Sequence, residues 1–135
     1  AAYSEDGLAK AGMGVAAGDF DNDGDEDLFV VNLMREGATL LRNETQPSFE
    51  TPSFLDITRS SGLYQITFDG TGFGTNWIDY DNDGLLDLFI ANGAVTRREE
   101  QRGQPRPYRE QNKLIRNLGG GINAWTAAQL PLVTQ

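Results

Sequence analysis

Cysteine and histidine are both absent from the 135 residues. That removes disulfide staples, thiolate chemistry and the usual zinc ligands together. Nucleophilic catalysis that depends on a Ser-His or Cys-His pair is excluded with them. No apolar run approaches the roughly eighteen residues of a membrane-spanning helix. No secretory signal pattern opens the chain, and its first residue is Ala rather than Met, so it reads as a processed or excised piece. A basic stripe interleaved with aromatics is also missing, which argues against nucleic acid as a partner. What is present is a 39% hydrophobic content, enough for a modest core in one ordinary domain. Stability has to come from that packing and from any metal the chain holds.

The formal charge is -9, with 20 acidic and 11 basic residues. Ten of the 20 acidic residues fall in two short segments. These are Asp19-Phe20-Asp21-Asn22-Asp23-Gly24-Asp25-Glu26-Asp27 and Asp79-Tyr80-Asp81-Asn82-Asp83-Gly84-Leu85-Leu86-Asp87. The rest of the chain is close to neutral, so the acidity is a property of two loops. Carboxylates at this density repel one another unless a cation sits among them. Oxygens at alternate positions of a tight turn can converge on one point, which suits a hard ion such as Ca²⁺ with its six to eight oxygen ligands. Two loops imply two sites. Metal-free Asx turns are the competing reading, and they leave the repeated clustering of charge unexplained. An EF-hand begins in the same way but demands Glu at the twelfth loop position and flanking helices. Here those positions are Val30 and Ile90, inside apolar runs, so the EF-hand is rejected. Mg²⁺ suits a cage of protein oxygens less well.

The two loops mark an internal repeat with an offset of sixty positions. Eleven of the 21 aligned positions are identical between 12–32 and 72–92. Gly14-Val15-Ala16-Ala17 and Gly74-Thr75-Asn76-Trp77-Ile78 lead into the loops, and Leu28-Phe29-Val30-Val31 and Leu88-Phe89-Ile90-Ala91 lead out. Short β-branched and aromatic runs bounded by Gly and Asp predict buried strands, so each acidic loop closes a β-hairpin. A third strand is predicted at Thr39–Asn43, matched by Lys113–Asn117, and a fourth at Phe54–Thr58. The third-strand match needs a larger offset, which places an Arg-rich insertion at 96–111 in the second copy. With no apolar periodicity, that insertion reads as a long exposed loop with room for a binding specificity.

The pattern G-x-G…D-x-D-x-D-G-x-x-D-L-F, followed by L-L-R-N or L-I-R-N, resembles the FG-GAP or VCBS repeats of integrin-alpha-like propellers. The likeness is nearest to the cartilage-acidic-protein group and its bacterial relatives. It covers about 12–58 and 72–118. The resemblance implies an all-β fold of two tandem four-stranded antiparallel blade-like repeats of a β-propeller, with an N-terminal partial repeat or strand at 1–11, repeat 1 at 12–63 and repeat 2 at 64–135. Such propellers close with more blades than two, so it also implies a piece of a larger propeller or completion by oligomerisation. Carried onto this chain, it implies that the carboxylates of Asp19, Asp21 and Asp23, the main-chain carbonyl of Asp25 and the carboxylate of Asp27 hold one Ca²⁺. Asp79, Asp81, Asp83, the carbonyl of Leu85 and Asp87 hold the second. Gly24 and Gly84 would bend the loops through positive φ, and Asn22 and Asn82 would stabilise the turns.

Gly12, Gly14, Gly72 and Gly74 are expected where backbones approach closely. Trp77, Trp125, Phe29 and Phe89 are expected in the core or between repeats. Arg42-Asn43 and Arg116-Asn117 are expected to pair with acidic groups or cap a turn, or to lie on the surface without a function. The leading functional expectation is a calcium-binding, non-enzymatic module for adhesion or for binding a protein or other ligand. A lectin-like carbohydrate-binding module and an accessory propeller domain of a secreted enzyme are the alternatives. Millimolar calcium outside cells favours an extracellular, periplasmic or cell-surface location. The expected partners are a protein or glycan, and other copies of the chain through exposed blade faces, with no membrane insertion.

Overall fold

The computed structural model describes residues 3, 4, 6–48, 50–95, 103, 109–119 and 125–129. These form eight strands and one helical turn. Strands β1 (Gly14–Gly18), β2 (Asp27–Val31), β3 (Thr39–Asn43) and β4 (Phe54–Asp56) make one antiparallel sheet in chain order. Helix α1 (Leu63–Thr67) leads to β5 (Thr71–Ile78), β6 (Asp87–Gly93), β7 (Lys113–Asn117) and β8 (Trp125–Gln129), a second sheet of the same order. The protein is all-β in class, as the short apolar runs predict, and each acidic loop joins the first two strands of a sheet.

The strands follow from period-two alternation. Along β2, Asp27, Phe29 and Val31 are buried while Leu28 and Val30 are half-buried. The hairpin register runs from Gly14↔Val31 to Gly18↔Asp27 in the first sheet, and from Thr71↔Gly93 to Ile78↔Asp87 in the second. The second hairpin is longer because β5 begins at Thr71, before the expected Gly74, and absorbs an irregularity between Gly72 and Gly74.

The predicted fourth strand stops at Asp56 instead of continuing to Thr58. There the Asp56 carboxylate accepts the Thr58 amide at 3.0 Å, an Asx turn that ends the extended backbone. Thr58 Oγ1 then accepts the Leu40 amide at 2.9 Å, and Ile57 enters the core. Helix α1 was not expected. It is a single turn whose Leu63 and Thr67 are buried, and the Thr67 hydroxyl accepts the Ala38 amide at 2.8 Å. Before β1, Tyr3 and Ala9 form one isolated antiparallel bridge. Of the predicted insertion at 96–111, only Gly103 and residues 109–111 fall within the described residues; the Arg-rich remainder lies outside them.

The core lies between the sheets. Phe20, from the first acidic loop, stacks on Trp77 at 6.0 Å between ring centroids with 10° between planes. Trp125 tilts against both, and Phe29 meets Trp77 edge to face. Such pairs each add about 0.5–1.5 kcal/mol beyond area burial. Phe29, Trp77 and Trp125 are therefore core residues as expected, whereas Phe89 is only half-buried. Polar groups also cross the seam: the Gly72 backbone amide donates to the Asn32 main-chain carbonyl at 3.1 Å, and the Asn117 side chain donates through Nδ2 to the Phe20 main-chain carbonyl at 3.2 Å.

The expected close approach holds at two of the four glycines. A Cβ on Gly72 would lie 2.5 Å from Val31 Cβ, and one on Gly14 would lie 2.9 Å from the Phe73 carbonyl oxygen. Gly74 faces open space. Val31 is β-branched and stiff at χ1, so it cannot swing aside. Gly72→Ala should therefore cost about 1–3 kcal/mol by overpacking, whereas Gly74→Ala should change stability by less than about 1 kcal/mol. Urea unfolding of the two variants checks this, and equal effects would refute the seam geometry.

Candidate functional site

Each acidic loop folds on its own carboxylates. In the first, Asp19 Oδ1 accepts the Asp23 amide at 3.0 Å and Oδ2 the Gly24 amide at 2.9 Å. Asp23 Oδ1 accepts the Asp25 amide at 3.0 Å. In the second, Asp79 takes the amides of Asp83 and Gly84 at 3.0 and 3.1 Å, and Asp83 takes that of Leu85 at 2.9 Å. The backbone reverses through Asn22 at φ 60° and Gly24 at φ 96°, and through Asn82 at 57° and Gly84 at 85°. Asparagine is among the few residues with a side chain that tolerate this region. The asparagines thus have a backbone reason to stand between the aspartates, and the glycines supply the expected positive φ.

The last aspartate of each loop behaves differently from the rest. Asp27 and Asp87 are fully buried at the first residue of β2 and β6. Asp27 Oδ2 accepts the Phe20 amide at 3.2 Å and Oδ1 the Asn43 amide at 2.8 Å. Asp87 accepts the amides of Tyr80 at 3.0 Å and Asn117 at 2.8 Å. One carboxylate therefore ties the start of the loop to the end of the third strand. Burial pushes Asp27 up to about 6, with the negative charges of Asp21 and Asp23 acting the same way and its two amide hydrogen bonds opposing. Asp21 is also raised, first by burial and then by Asp23.

Carboxylate oxygens of Asp19, Asp21 and Asp23 lie within 4.8 Å of one another, as do those of Asp79, Asp81 and Asp87. Asp27 and Asp83 stand outside these two triads, and so does the side chain of Asp25. Leu85, expected to act through its carbonyl, is half-buried at the position matching Asp25. All the donors are hard oxygens, gathered at sites with an excess of negative charge. That donor set fits a divalent cation of the Ca²⁺ type.

Arginine and asparagine at the end of the third strand complete the arrangement. The asparagines serve the site through their backbone amides, a role that side-chain chemistry alone does not reveal; the repeated R-N pair was the available signal. Their side-chain carbonyls also cap the next turn, accepting Thr45 N at 3.0 Å and Gly119 N at 3.1 Å. The arginines diverge. Arg42 pairs with Glu44, whereas Arg116 pairs with Asp81 inside the second acidic cluster, and its pKa is raised first by that bond. The residue two places on explains the difference: Leu118 stands where Glu44 does and offers no carboxylate.

With Asp27 raised, the metal-free folded state binds its proton more tightly than the unfolded chain, where the group titrates near 3.8. That contribution to stability is complete below about pH 4 and is lost as pH rises through 6. In calcium-free buffer the melting temperature should fall between pH 5 and pH 7.5. A rise over that interval would show that burial of Asp27 is not the governing effect.

A family model described as FG-GAP-like repeat matches residues 19–90, just over half of the chain. The match opens on the first residue of the first acidic loop and runs through the second loop into β6. No curated protein and no solved structure matches the chain.

Proposed function

Because the chain belongs to the FG-GAP-like repeat family, we propose that it is a calcium-binding, non-enzymatic repeat module of the β-propeller type. In this reading each four-stranded sheet is one blade, and the module serves adhesion or ligand binding outside the cytoplasm. The observation that carries the calcium reading is the convergence of three carboxylates in each of two loops with the same hydrogen-bond pattern.

Asp19, Asp21, Asp23 and Asp27, with the Asp25 carbonyl, would hold one ion; Asp79, Asp81, Asp83 and Asp87, with the Leu85 carbonyl, the other. A bound cation supplies positive charge that offsets the mutual repulsion of the loop carboxylates. The chain's own contribution is to hold those oxygens in place beforehand. Asp19 and Asp79 brace the turn through two amides each, and Asp27 and Asp87 anchor it to the third strand. Shared design at both loops supports a structural role over a single reactive centre. Weak sites of this kind fill at extracellular calcium and stand empty in resting cytosol, which supports the extracytoplasmic reading. Among the described residues, no helix is long and apolar enough to cross a membrane. The partner of such a module is a protein or a glycan bound by loops at the ends of the sheets.

Calorimetric titration of the chelated protein should resolve two calcium sites. Asp21→Ala and Asp81→Ala should each remove one and leave the other. At a hundredfold excess over Kd each site adds about 2.7 kcal/mol, so the melting temperature should rise by roughly 10 °C for each site filled. An unchanged melting temperature in millimolar calcium would refute the reading.

The second site should be the weaker, because Asp81 must exchange Arg116 for the ion. Exposed ion pairs contribute about 0.2–1 kcal/mol, so Arg116→Gln should tighten that site by up to about fivefold and leave the first unchanged. A loosened second site would instead make Arg116 a support of the loop.

A further inference from the structure

At the end of the first sheet opposite its acidic loop, the turn between β2 and β3 meets the residues that follow β4 and the segment that precedes β1. These three segments bond to one another. The Glu36 carboxylate accepts the Ala11 amide at 2.9 Å, Lys10 Nζ donates to Thr39 Oγ1 at 3.0 Å, and Arg59 pairs with Asp6 at 3.1 Å. Together they wall a hollow of about 100 Å³. Pockets for larger ligands run to roughly 300–1,000 Å³, so this one suits a single functional group with a few carbons attached.

Three cations, Lys10, Arg35 and Arg59, and three carboxylates, Asp6, Glu36 and Asp56, line the hollow. The carboxylates are engaged by the chain itself. Asp6 accepts from the Ser4 hydroxyl and from Arg59, Glu36 from the Ala11 amide, and Asp56 from the amide and hydroxyl of Thr58. The cations keep donors to spare. Arg59 sits over the Tyr64 ring at 4.3 Å, which holds it in place and leaves N–H groups beyond the one given to Asp6. Lys10 gives one bond to Thr39, and burial lowers its pKa against the opposing pull of Asp56, so its ammonium is incompletely hydrated. Among the described residues, the Arg35 guanidinium has no hydrogen-bond or ion-pair partner.

Arg35 also stands where an arginine is unfavourable. The Glu36 amide donates to the Leu33 carbonyl at 3.1 Å, closing a turn whose third residue is Arg35 at φ 69°. Glycine or asparagine suits that position, and a long side chain there strains the backbone. Strain of this kind gathers at ligand sites, where the side chain offsets it by what it binds. A planar guanidinium matches the two oxygens of a carboxylate better than any other donor group.

We propose that this hollow binds the carboxylate of a small organic acid, with Arg35 forked onto its two oxygens, Lys10 and Arg59 donating beside it, and the short carbon chain resting against Tyr64 and Leu8. The site lies at the far end of the sheet from the first acidic loop and needs no metal.

Propanoate is the probe, titrated into isotope-labelled protein followed by NMR. Calcium-free buffer keeps the acid from binding through an ion in the loops. Shifts in the signals of Lys10, Arg35 and Arg59 should saturate at millimolar propanoate, and propanamide, similar in shape but uncharged, should not produce them. Arg35→Gly should weaken binding roughly tenfold or more. Its melting temperature should stay at or above that of the wild type, because glycine relieves the positive φ. An arginine that served only the turn would not lose binding while keeping stability. Arg35→Gln, which keeps a polar side chain without the charge, should lose binding to the same extent and guards against a rearranged turn in the glycine variant. Shifts that do not saturate, an equal response to propanamide, or wild-type affinity in either variant would overturn the proposal.

Discussion

A carboxylate buried at the base of each hairpin organises this protein. Asp27 and Asp87 begin the second strand of their sheets, and each accepts two backbone amides, one from the acidic loop and one from the end of the third strand. Burying a carboxylate without a basic partner is costly unless hydrogen bonds or a cation offset it. The amide bonds supply part of that offset but not all of it, so burial still holds the Asp27 carboxyl above the usual carboxylate range. The loop, the hairpin and the third strand are consequently one unit, and a cation held by the neighbouring aspartates would act on all three at once.

That unit is used twice, and the copies are joined by packing that treats them differently. Phe20 leaves the first loop to stack on Trp77 of the second sheet, while its counterpart Tyr80 is exposed. Ala17 in the first copy corresponds to Trp77 in the second, so the large ring belongs to the sheet whose Trp77–Leu88–Ile115 ladder is buried in the shared core. The glycines at 14 and 72 let the first strand of each sheet approach the other, and Val31 fills the space a Cβ would need at Gly72. Arg42 and Arg116 show the same divergence in charge: one change, Glu44 to Leu118, redirects an arginine from a neighbour on its own strand end to the acidic cluster.

Much of this was legible in the residue order because its causes are local. The acidic loops, their glycine and asparagine turns and the flanking strands depend on φ preferences, on alternation and on spacing, all of which act over a few residues. The R-N pair was visible too, along with its ion pairs and turn caps; its tie to the buried aspartate was not, since the asparagine makes it through a main-chain amide that every residue type offers. Helix α1 escaped notice because it is one turn, held by Leu63 packing and by the Thr67 hydroxyl rather than by an amphipathic stripe. The early end of β4 turns on an Asx bond within Asp56–Thr58 that competes with an otherwise strand-like run.

By itself the amino-acid sequence determined the strand content, the duplicated hairpin, the loop chemistry and the family, for each is written in contacts between near neighbours. Only the tertiary structure decided which face of each sheet is buried, which carboxylates converge and which arginine enters the acidic cluster. Those outcomes depend on residues tens of positions apart meeting across the seam between two sheets, and an alternating pattern is equally compatible with burial of either face until a partner surface is in place.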